Sequence, residues 1–131
     1  MKEAELKKFH EWRIKADEDF KSADILIKND GVPATISFLA QQGAEKYLKG
    51  FLAFHNRPIL KIHLLDKRLE DCISIDASFK NLIDEAVALN DYYIESRYPD
   101  NIREDIKMEE AKNAFNMAAK IKNVIIEKVI S

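Results

Sequence analysis

Glycine and proline are scarce in this 131-residue chain, with three of each, and of the six only Gly43 and Gly50 fall inside an apolar pattern. So few breakers favour a few long helices over many short strands. The single cysteine, Cys72, excludes an internal disulfide and suits a reducing compartment. A lone thiol is expected as a small buried hydrophobe, not as a nucleophile or ligand. An excess of one charge is lacking too. A formal net charge of −2 gives no global field to draw in nucleic acid or an anionic membrane, so such contact requires a local patch. No apolar run approaches the ~20 residues of a membrane span. The opening Met1-Lys2-Glu3-Ala4-Glu5 is charged and has no apolar signal-peptide core. A cytoplasmic protein is the expectation. His10, His55 and His63 show no ligand spacing and no glycine loop cradles phosphate, so no metal and no cofactor are expected.

What the chain does have is helical periodicity. Its 47% apolar and 34% charged residues describe an ordinary globular protein. As one domain, 1–131, it is long enough to bury roughly two thirds of its unfolded surface. From about Glu5 to Lys28, Trp12, Ala16, Phe20, Ala23, Leu26 and Ile27 recur at steps of three and four, the mark of one helical face. Gly31 suits the left-handed turn after this helix, and Pro33 suits the first turn of the next. That second helix, Pro33 to Phe54, is apolar over more than half its circumference and is expected at the centre. Gly43 within it implies close helix packing.

A short helix is expected from His63 to Cys72, then a break near Asp76, which can cap the next helix. That third long helix is predicted from about Ala77 towards Tyr93, ended by Tyr98-Pro99. The last helix, about Lys107 to Ile130, carries Ala111, Ala114, Phe115, Ala118, Ile121, Ile125 and Val129 at helical spacing. The expected fold is all-α: an antiparallel up-and-down four-helix bundle, with one additional short helix between the second and third long helices.

Three stretches together resemble the HEPN domain family (higher eukaryotes and prokaryotes nucleotide-binding). They are Trp12 with Ala16, Asp19 and Ala23; Gln41-Gln42-Gly43-Ala44-Glu45-Lys46-Tyr47-Leu48-Lys49 with His63-Leu64-Leu65; and Asn90 to Asp100 with Glu109-Glu110-Ala111. The resemblance implies a helical bundle, a homodimer, and partnership with a minimal nucleotidyltransferase in a two-component, toxin-antitoxin-like system. Members of the family include toxin-antitoxin components, ribonucleases and non-catalytic binding partners. Catalytic members carry an arginine and a later histidine with four to six residues between them. Here Arg97 is followed at those separations by Ile102, Arg103 and Glu104. The chain therefore resembles a branch with an Arg-Tyr-Pro-Asp segment and no Arg…His ribonuclease motif.

The residue chemistry singles out the same segment. Arginine grips phosphate bidentately and tyrosine stacks on bases, which makes Tyr93, Arg97, Tyr98, Asp100 and Arg103 the leading ligand-binding candidates. A structural role for them, as packing, cap and ion pair, is the alternative. Gln42, Glu45 and Lys49 are secondary candidates, with Gln42 read as an amide near the packed stripe that needs partners. No residue is assigned to catalysis. Arg57 and His63 form the one arginine–histidine pair with family-like spacing, in the wrong connection, and remain catalytic candidates of last resort. The leading expectation is a nucleotide- or RNA-associated binding module; the alternative is a metal-independent endoribonuclease toxin, since such cleavage wants a group titrating near neutrality. Seven Phe, four Tyr and one Trp are expected to exceed what such a core buries, leaving a patch on the second and last helices for a second copy.

Overall fold

The computed structural model describes residues 2–93 and 105–130, and all regular structure among them is helical. Among the described residues five α-helices succeed one another: α1 Lys2–Lys28, α2 Pro33–Phe54, α3 Leu65–Ile75, α4 Ile83–Leu89 and α5 Met108–Ile130. Short 3-10 segments, Ala77–Leu82 and Asn90–Tyr92, flank α4.

α2 is central because it is apolar on two sides. It packs most extensively on α1 and next on α5. α1 and α2 run antiparallel: Gly50 meets Phe9 and Trp12, Gly43 meets Phe20, and Ala23 clusters with Ile36. α5 runs the same way as α2, with Ala111 beside Ile36 and Lys122 over the Tyr47 ring. The close approach expected at Gly43 is present: a Cβ there would lie 2.7 Å from Phe20 Cε2. Between the helices, Asp17 accepts the Tyr47 hydroxyl and pairs with Lys122 at 3.3 Å. Burial and the Asp17 carboxylate both push the Tyr47 pKa up.

Three expectations need correction. The left-handed turn after α1 belongs to Asp30, with φ 52°, not to Gly31; aspartate's short polar side chain tolerates that conformation. Gly31 is required for space instead, since a Cβ would sit 2.6 Å from Leu26 Cδ2. The third long helix is segmented. Asp76 does cap it, accepting from the Ser78 N–H at 2.9 Å, but the buried Phe79–Leu82 spacing of three suits a 3-10 turn, and regular α-helix spans only Ile83–Leu89. Finally, the aromatic surplus leaves no exposed ring among the described residues: Trp12, Phe38, Phe54, Tyr93 and Phe115 are half-buried and the other described aromatics are buried. Among the described residues the large exposed apolar side chains are aliphatic and lie mainly on α1, on α4 and in the α2–α3 connection, with Ile14 63% and Leu60 50% accessible. Among the described residues no helix is long and apolar enough to cross a membrane.

Candidate functional site

The connection from α2 to α3, residues 55–64, has no regular helix after its opening turn. α3 begins at Leu65 and not at His63, so His63 stands exposed in the connection. Asn90 fixes this corner. Its side-chain oxygen accepts the Leu65 N–H at 2.7 Å, and its amide donates to Asp66 Oδ1 at 2.7 Å. The two tyrosines after it diverge: Tyr92 is buried and hydrogen-bonds Glu110, whereas Tyr93 turns to His63. The Tyr93 hydroxyl and His63 Nδ1 are hydrogen-bonded at 2.6 Å, with ring centroids 5.1 Å apart and planes 33° apart.

This ring pair borders a cleft of about 560 Å³ between α2, the connection and α3. Glu45 and Lys49 of α2 line one wall, Lys61 and His63 the other, and Arg68 of α3 also lines it. Glu45 and Lys49 are paired at 2.8 Å, as their four-residue spacing favours. Lys49 also lies 5.2 Å from the Trp12 ring centroid. Among the described lining residues, the basic side chains of Lys49, Lys61 and Arg68 accompany one carboxylate, Glu45. Such a lining receives an anion, and the ring pair offers a flat surface to a base.

Of the residues singled out from sequence, the fold brings Tyr93, Glu45, Lys49 and His63 into this one cleft. Gln42 does not line it. Its amide donates to Gln41 Oε1 at 2.7 Å, and Gln41 is the fully buried member of the pair. Arg57 faces elsewhere, donating to Ser74 Oγ at 3.4 Å. Arg97, Tyr98, Asp100 and Arg103 lie outside the described residues. Cys72 is buried, and burial pushes its thiol up to about 12. Among the described residues no cluster of three or more His, Cys, Asp or Glu is arranged to hold a metal.

Arg68 is the residue sequence reasoning missed. In Asp66-Lys67-Arg68 it reads as one more solvated charge, yet it is only 2% accessible. The signal was its spacing: Leu65, Arg68, Leu69 and Cys72 share one helical face, and the other three are core residues. Its Nη2 donates to the carbonyls of Leu60 at 3.1 Å and Ile62 at 2.7 Å. Nε and Nη1 have no acceptor among the described residues. Burial lowers its pKa, opposed first by the Glu45 charge.

No curated protein and no solved structure gives a match to this sequence. The family model described as HEPN domain matches residues 9–129. That span takes in all of α2 to α4, the cleft, most of α1 and nearly all of α5, and the chain belongs to the HEPN domain family.

Proposed function

We propose that the chain is a nucleotide- or RNA-binding HEPN module without catalytic activity, working as a homodimer beside a minimal nucleotidyltransferase in a toxin-antitoxin-like pair. In that reading the segmented stretch from Ala77 to Tyr92 takes the third place of an up-and-down four-helix bundle. The observation that carries the ligand assignment is the His63–Tyr93 ring pair beside Lys49, Lys61 and Arg68. Stacking contributes about 1–3 kcal/mol per base by alanine substitution. Fluorescence anisotropy with labelled single-stranded RNA in EDTA tests it. Saturable binding of intact RNA, weakened roughly fivefold to a hundredfold by Tyr93→Ala, is the expected result; no saturation, or no effect of Tyr93→Ala, overturns it. Arg97→Ala in the same assay tests the proposed contribution of the Arg97–Arg103 segment.

One observation favours the alternative, a metal-independent endoribonuclease toxin: His63 and an arginine, Arg68, line the same cleft. RNA cleavage in EDTA that disappears with His63→Ala would establish it.

For the homodimer, Ile14 and Ile25 are both exposed and lie eleven residues apart, hence on one face of α1. Light scattering that reports a dimer, and a monomer for Ile14→Asp, supports contact through that face; a monomeric wild type at micromolar concentration removes it. Co-elution with a coexpressed minimal nucleotidyltransferase tests the partnership, and separate elution rejects it.

A further inference from the structure

We propose that Arg68 is the anion-binding residue of the cleft and holds a phosphate group of the ligand at the cleft floor, while the ligand's ring rests against His63 and Tyr93. This deepens the ligand-binding reading above and rests on it.

A guanidinium carries five N–H donors. The two on Nη2 go to the Leu60 and Ile62 carbonyls, and those on Nε and Nη1 meet no acceptor among the described residues. Buried donors without partners are rare in folded proteins, and buried charges without a counter-charge are rarer. No carboxylate among the described residues forms an ion pair with Arg68; Glu45, whose charge acts on it most strongly, pairs instead with Lys49. The position is built for a second anion.

Geometry favours phosphate over carboxylate. A planar carboxylate seats on two neighbouring nitrogens of the fork. Both such edges include Nη2, which is committed to the chain. Tetrahedral phosphate can place separate oxygens on Nε or Nη1 and on the ammonium groups of Lys49 and Lys61. Nε and Nη1 are closed off from water, but the wall against Arg68 includes the 59–63 connection, which carries no regular structure and whose internal backbone bond runs from the Ile62 N–H to Leu60. A shift of that wall admits phosphate without moving a helix.

The test uses the intact chain and three probes: adenosine, adenosine monophosphate and inorganic phosphate. Calorimetry should show the monophosphate binding about tenfold or more tighter than adenosine. In the wild type, the Arg68 ¹⁵Nε resonance should shift with the monophosphate and with phosphate, and stay put with adenosine. Arg68→Met should bring monophosphate affinity down to that of adenosine; if that variant does not fold, the wild-type resonance decides. Equal affinities, or a phosphate preference with an unmoved Arg68 signal, overturn the assignment and leave nucleotide binding standing. Failure of all three probes and of single-stranded RNA to bind overturns both readings.

Discussion

Replacing Gly43 with alanine perturbs the contact that sets the distance between α1 and α2. The added methyl would stand 2.7 Å from Cε2, 2.9 Å from Cδ2 and 3.3 Å from Cζ of Phe20, well inside van der Waals contact. The ring has little room to yield. Tyr47 and Phe115 hold it edge-on at centroid distances of 5.9 and 5.8 Å, and the Lys122 ammonium lies 4.9 Å from its centroid. Overpacking of this kind costs about 1–3 kcal/mol, while alanine in a helix interior regains about 1 kcal/mol over glycine. The expected net effect is a loss of about 1 kcal/mol, seen in urea unfolding as a lower midpoint with unchanged slope. Because the clash is with one ring, combining Gly43→Ala with Phe20→Leu should cost less than the two single changes added together. A Gly43→Ala variant more stable than wild type by about the full propensity gain would refute the packing argument.

Three other contacts yield outcomes as specific. Lys128 and Ser78 hold the Asp76 carboxyl down from its usual 3.8 to about 2, so the native state binds fewer protons and the stabilisation is present above the ordinary carboxylate range. It is lost as pH falls towards about 2; acid unfolding of wild type and Asp76→Asn should therefore converge there, and a stability gap that widens on acidification would contradict this. Cys72, buried with its thiol pushed up to about 12, should resist a thiol reagent at neutral pH until denaturant is added; immediate labelling of the folded protein would contradict its placement. Tyr47→Phe removes the hydroxyl from Asp17, which keeps Lys122 at 3.3 Å and Arg13 at 3.5 Å. A loss of about 1 kcal/mol in chemical denaturation is expected, and no measurable change would remove that bond from the account.

The long helices were legible because burial imposes a periodicity on them. In α2, Ile36, Ala40, Ala44, Leu48 and Leu52 recur every four residues, and all are fully buried. The stretch from Ala77 to Tyr92 was less legible because steps of three and four mix there, and local spacing does not distinguish a 3-10 turn from a continuing helix. At the site, Tyr93, Glu45 and Lys49 stood out by residue type. That they meet His63 was not legible, because Asn90 creates the meeting by joining Leu65 and Asp66 across more than twenty residues. Arg68 escaped notice for a different reason. Arginine is rarely fully buried, and the apolar face that includes it counts only four residues on a short helix.

The claim on which the functional account depends is that ligand rests on the His63–Tyr93 pair. Ultraviolet crosslinking of bound single-stranded RNA, with the modified peptides mapped by mass spectrometry, tests it most directly. Adducts are expected at Tyr93 and His63, the ring pair bordering the cleft. Efficient crosslinking confined to the outer faces of α1 or α5, with none at these two rings, would contradict it.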